Sequence, residues 1–146
     1  MIRLMTMDDY DAVYKLWSGA STVGMRVLDD SPEGIRHFLN RNSTTCFVYE
    51  EQGNIYGVIL GGQDGRRGFI YHTAVSDSMR RKGIGRQLVN ALLEAMKNEG
   101  INKVALVVFE RNTGGNGFWE ALGFTTRPDL VYRNMSLNDA NVDVIR

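Results

Sequence analysis

The stretch Thr73-Ala74-Val75-Ser76-Asp77-Ser78-Met79-Arg80-Arg81-Lys82-Gly83-Ile84-Gly85-Arg86 decides how the rest of the chain is read. A β-rich segment, Gly68 to Val75, leads into it. A helical pattern leaves it, with Ile84, Leu88, Leu92 and Met96 on one line and Val89 and Leu93 beside them. Between strand and helix stand four bases and two glycines. Free backbone N–H groups at a helix start, no side chain in the way and positive charge around them make an anion site. A phosphate, or a pyrophosphate, suits it. As plain solvated surface the cluster would be a poor choice, because cations oppose the dipole at a helix start.

The bases are a local concentration. The 146 residues carry a formal net charge of +0, with 43% hydrophobic and 23% charged residues, which fits one globular domain over 1–146 and argues against a nucleic-acid footprint. Cys46 is the only cysteine, so neither a disulfide framework nor a cysteine metal cluster is expected, and no metal site is predicted. No apolar run reaches membrane-spanning length and no signal peptide is legible, so a cytoplasmic protein without a membrane partner is expected.

Outward from the central stretch, Ile2 to Met5 reads as an edge strand and Thr6 as the N-cap of a first helix, Met7 to Ser18. Ser31-Pro32-Glu33 starts a second helix. The segment between them, Gly19 to Asp30, is a candidate lid or acceptor wall, or an ordinary solvated connector; Asp29 and Asp30 could draw an ammonium group there. Thr44 to Glu50, Ile55 to Leu60 and Phe69 to Val75 form an antiparallel meander, with Asp64-Gly65 as a turn. Gly100 caps the long helix. Lys103 to Phe109 reads as a strand buried on both faces and parallel to Phe69–Val75. A short helix follows through Trp119 and Leu122, and Phe124 to Leu137 is expected to close as a hairpin turning near Arg127-Pro128-Asp129. The tail from Asn138 has too few apolar residues to demand order.

This order of elements resembles the GNAT superfamily of N-acetyltransferases over nearly the whole chain. Arg80, Gly83 and Gly85 match that family's signature of Arg or Gln, two residues, Gly, one residue, Gly or Ala. Asn112 followed by Phe118-Trp119-Glu120-Ala121-Leu122-Gly123-Phe124 is similar to a second family segment. The resemblance implies a mixed α/β, mostly antiparallel sheet of about seven strands with a central parallel βαβ unit and about four helices. It also implies acetyl-CoA as donor: pyrophosphate on the loop Arg80, Arg81, Lys82, Gly83, Ile84, Gly85 and Arg86, pantetheine paired with the backbone of Thr73 and Val75, and contacts from Asn112, Phe118 and Trp119 on the opposite wall. A P-loop reading lacks the Gly-Lys-Ser/Thr ending, since Arg86-Gln87 follows Gly85.

The expected function is acetyl transfer to a primary amine of a small molecule or protein. The usual proton donor in the resembling segment is a tyrosine, and here Trp119 stands in its place, whose indole N–H is no general acid. Phe69 and Val107 occupy positions where relatives carry a base. Tyr71 as acid and His72 as base are the substitutes, on opposite faces of a regular strand; Tyr132 and Glu110 are weaker ones. These departures keep open an alternative, a non-catalytic coenzyme A-binding sensor. Homodimers are common among such proteins, so a second copy is a further expected partner.

Overall fold

The computed structural model describes residues 1–20 and 23–141. Its sheet is ordered β1 (Ile2–Leu4), β2 (Phe47–Glu51), β3 (Asn54–Gln63), β4 (Gly68–Val75) and β5 (Val104–Leu106). The first three pairings are antiparallel, and β4 with β5 is parallel, Gly68 opposite Val104 and Ile70 opposite Leu106. A parallel pair needs a long crossover, and α3 (Ile84–Asn98) supplies it. Three further helices are α1 (Tyr10–Ser18), α2 (Pro32–Arg41) and α4 (Thr113–Ala121).

Two of the four helices, α2 and α4, begin where a side chain satisfies a first-turn amide. Ser31 Oγ accepts from Gly34 N at 3.0 Å, with Pro32 in the first turn of α2. The expected helix from Met7 divides into a tight 3₁₀ turn, Met7–Asp9, and then α1. Asp9 carboxylate explains the division: it reaches back to Thr6 N at 2.9 Å and holds Arg3 of β1 through both terminal nitrogens. At the far end, Gly100 takes a φ of +81°, as its capping role requires.

The molecule has three layers. Val13 and Trp17 of α1 and Ile35 and Leu39 of α2 bury against Val48, Val58, Leu60 and Ala74 on one face of the sheet. On the other, Ile84, Leu88, Val89, Leu92 and Met96 of α3 cover Ile59 and Ile70, with Phe118, Trp119 and Leu122 at the margin. The buried line on α3 is the one read from its period.

Three expectations are corrected. The sheet has five strands among the described residues, not about seven. The closing hairpin does not form: a turn closes where it was placed, Leu130 N to Arg127 O at 3.1 Å, but every residue from Thr125 to Asn141 is exposed and none joins a ladder. Leu130, Val131 and Tyr132 are consecutive rather than alternating, so no single face of this segment can be buried by pairing. The fifth strand is correspondingly short. Val104 and Leu106 pack toward α3, whereas Val107 and Phe109, expected inside, are exposed, because only one face of this edge strand is covered. The unstructured-tail expectation falls partly on 142–146, outside the described residues.

Candidate active site

The site forms where β4 leaves its partner. Pairing between β4 and β5 stops at Ile70 and Leu106, while β4 continues to Val75 against β3 alone. Ser76 N donates to Tyr56 O at 2.8 Å. Hydrogen-bonded positions alternate along an antiparallel pair, so Thr73 and Val75 turn their amides and carbonyls away from β3, into the gap left by β5. A cleft of about 370 Å³ opens there, lined by Val75, Ser76, Asp77 and Arg80 and, from the end of α1, by Lys15, Leu16, Gly19 and Ala20. The α1 residues carry no sequence signal for this role, since the chain only meets them through packing.

The loop into α3 is shaped by two left-handed residues, Arg81 at φ +64° and Gly83 at φ +79°. An arginine in that region is uncommon, and the strain marks a loop held for a purpose. Gly83 is the N-cap and offers no side chain, so the amides of Ile84, Gly85 and Arg86 keep no capping partner, whereas Ser31 and Asn112 cap α2 and α4. The first turn of α3 also lacks an acidic residue. Of the bases, Arg80 Nε meets Asp77 at 2.9 Å on the surface, and Lys82 Nζ lies 3.8 Å from Met79 Sδ. Arg81 and Arg86 are exposed and form no ion pair among the described residues. Gly85 differs from Gly83: a Cβ there would sit 3.2 Å from the Phe118 ring, so close packing of α3 on α4 also demands glycine.

On the opposite wall, Asn112 Oδ1 accepts from Gly115 N at 2.8 Å, which makes the side chain the N-cap of α4. Its Nδ2 has no partner among the described residues. Trp119 lies edge-on to both Phe118, 5.0 Å away, and Phe124, 5.2 Å away, and serves as packing beside α3.

Tyr71 and His72 do not take opposite faces. From Ile59 to Gly61 β3 steps two residues while β4 steps three, Thr73 to Ile70. The extra residue is a β-bulge, and it resets the alternation between Ile70 and Thr73. Ile70 points into the α3 core, whereas Tyr71 stands edge-on to Phe38 of α2 at 5.5 Å and His72 edge-on to Trp17 of α1 at 5.1 Å. Both therefore face the α1–α2 layer. No glycine or proline announces the bulge in the sequence.

Tyr71 is 48% exposed beside Phe69, whose ring centroid lies 4.8 Å away. Burial first, then the nearby Tyr132 and Asp29, push its hydroxyl pKa above the ordinary value. Tyr132 is thus close to Tyr71 even without the hairpin expected to carry it. Glu110 is exposed. His72 Nε2 lies 3.0 and 2.9 Å from the two oxygens of Asp30, whose side chain is 5% exposed. Asp30 is therefore a buried partner of His72 rather than an acidic patch in the connector; Asp29 remains exposed. The two stand 42 positions apart, and nothing in the sequence linked the pair.

The sequence profile of the acetyltransferase (GNAT) family matches residues 10–124. An acetyltransferase of Pectobacterium atrosepticum is 33% identical over 125 residues, covering 86% of this chain and 87% of that protein. Among solved structures, Ard1 from Thermoplasma volcanium superposes with a TM-score of 0.77 at 24% identity over 86% of this chain and 82% of its own. The aminoglycoside N-acetyltransferase AAC(6')-Iy, solved with CoA, gives 0.73 at 18% identity over 93% and 99%. These similarities define an acyltransferase. The chain belongs to the acetyltransferase (GNAT) family, and acetyl transfer is its general chemistry. No helix among the described residues is long and apolar enough to cross a membrane, and no group of three or more His, Cys, Asp or Glu among them could hold a metal.

Proposed function

We propose that the protein is an acetyl-CoA-dependent N-acetyltransferase acting on a primary amine of a small molecule or protein, folded as one domain over 1–146. The observation that carries this reading is the free stretch of β4, Thr73 to Val75, ending at an uncapped helix start. An extended amide-bearing arm can pair with Thr73 and Val75 as an added strand, and the Asn112 Nδ2 can donate to it from across the gap. The amides of Ile84, Gly85 and Arg86 then donate to a pyrophosphate, with Arg81 and Arg86 as free cations and Arg80 and Lys82 beside them. Charge-assisted bonds of this kind contribute roughly 1.5–3 kcal/mol each, so a few can supply the roughly 8 kcal/mol of micromolar binding after association costs. Phe118 supports the loop from behind Gly85, and Trp119 supports Phe118.

Acetyl transfer to an ammonium-bearing acceptor requires removal of one proton before attack and delivery of one to the leaving thiolate. In this reading His72 takes the first proton. The amine nitrogen then bonds to the thioester carbon as the carbon–sulfur bond breaks. Tyr71, which keeps its proton at neutral pH, passes it to the thiolate and is reprotonated by the second amine proton. The bulge supports this division, since acid and base share the face on which an acceptor could approach.

The non-catalytic sensor gains no support from relatives named acetyltransferases. Calorimetry with acetyl-CoA and thiol release over an amine panel separate the readings. Micromolar binding with turnover on at least one amine is expected; binding without turnover on any would restore the sensor, and no binding would overturn both.

A further inference from the structure

We propose that Asp30 is the positioning residue of the transfer step: it fixes His72 as the Nε2–H tautomer, so that Nδ1 is the atom that receives the acceptor's proton. This rests on the reading of His72 as base. A carboxylate only accepts hydrogen bonds, and both Asp30 oxygens lie within 3.0 Å of Nε2, so Nε2 carries the hydrogen. In neutral imidazole the lone pair then falls to Nδ1, which has no partner among the described residues. Trp17 edge-on at 5.1 Å confines the ring from the α1 side.

Asp30 is itself held at three points. Oδ2 accepts Arg26 N at 2.6 Å, its own amide donates to Arg26 O at 3.2 Å, and its carbonyl accepts the Tyr10 hydroxyl at 2.6 Å. Burial pushes the Tyr10 pKa up to about 12, so that hydroxyl donates throughout the working pH range. A carboxylate this anchored, 4% exposed as a residue, is poorly placed to collect a mobile acceptor and well placed to orient a ring. A base whose second nitrogen is tied to a buried carboxylate is a recurring arrangement for proton abstraction, because tautomer and orientation are set before substrate arrives. The segment between α1 and α2 thereby completes the chemistry of β4.

The chain has two histidines, His37 and His72, so a His37→Gln background leaves His72 as the sole imidazole signal. Nitrogen-15 NMR of that protein reads the tautomer without any acceptor. The expected result is Nε2–H in the parent, a mixture in Asp30→Ala, and retained Nε2–H in Asp30→Asn, whose amide oxygen still accepts. Turnover is then compared with phenethylamine, protonated at neutral pH, and hydroxylamine, which is not. Asp30→Ala should lose about 10²-fold or more in kcat with phenethylamine, the range of general-base catalysis. Its kcat with hydroxylamine and its KM for acetyl-CoA should stay within about twofold, and Asp30→Asn should recover part of the loss. An Nδ1–H tautomer in the parent, or equal losses with both nucleophiles, would overturn the assignment. If neither nucleophile turns over, a protonated amine that does turn over in the panel takes the place of phenethylamine; no turnover on any amine overturns the function proposed above, and the tautomer measurement alone still decides the positioning.

Discussion

Gly83 and Gly85 stand two residues apart and are held to glycine by different forces, which separates binding from folding in a pair of substitutions. At Gly83 the backbone is left-handed and a Cβ meets nothing within 4 Å, so a side chain costs conformational energy only, roughly 1–2 kcal/mol. Gly83→Glu should therefore leave a folded protein while its carboxylate occupies the anion site, and acetyl-CoA binding by calorimetry should be lost. Retained micromolar affinity would remove the loop from the donor site. At Gly85 the obstacle is the Phe118 ring, so Gly85→Val should lower the unfolding free energy from a urea titration by about 1–3 kcal/mol through overpacking, as well as weakening acetyl-CoA binding. Cys46 gives a third residue-scale expectation. Burial pushes its thiol up to about 12 and it is 1% exposed, so native protein should resist thiol reagents that modify the urea-unfolded chain at once.

At the scale of elements, Arg3 of β1 ties the start of the chain to two others. It meets Asp9 in the 3₁₀ turn at 2.8 Å and Glu50 of β2 at 2.6 Å. Burial pushes the Asp9 pKa up, but the hydrogen bonds from Arg3 and from Thr6 N, with the charge of Arg3, outweigh it and leave the carboxyl below its ordinary value. The sign follows: this stability is present in full above the unfolded carboxylate value, about 3.9, and is lost as pH falls through the lower folded value. Asp9→Asn should cost about 1.5–3 kcal/mol at pH 7 in a urea titration, and a much smaller difference should remain at pH 2. Another element-scale contact bears on Asp30. A Cβ on Gly34, in the first turn of α2, would overlap the carbonyls of Leu28 and Asp29. Gly34→Ala should push the turn before Asp30 away from α2 and lower turnover with phenethylamine more than acetyl-CoA affinity. Elements with a local cause were legible: the Ser31 cap, the period of α3, the glycine cap at 100. What escaped the sequence depends on partners far along the chain. Asp30 meets His72 across 42 residues, and the bulge that turns Tyr71 and His72 to one face is a property of two strands together. The absent hairpin belongs here too, because alternation fails at Leu130-Val131-Tyr132.

For the molecule as a whole, the proposed function divides one chain, across its sheet, into a side that holds and a side that reacts. The proposed donor site lies with the α3 layer, the glycine loop and α4, while the α1–α2 layer meets Tyr71 and His72. In that reading β4 serves both, through Thr73–Val75 and through Tyr71 and His72. The bulge is what lets one strand serve two sides, and its consequence concerns sequence change. Removing one residue between Ile70 and Thr73 would give a straighter strand with a more regular ladder. It would also leave a single side chain on the α1–α2 face, where Tyr71 and His72 now both stand. A shorter β4 is thus a more ordinary sheet that has lost one of the two groups we propose for proton transfer. Insertions and deletions, which most surface loops of this chain would tolerate, should be refused at two residues in the middle of its most regular layer.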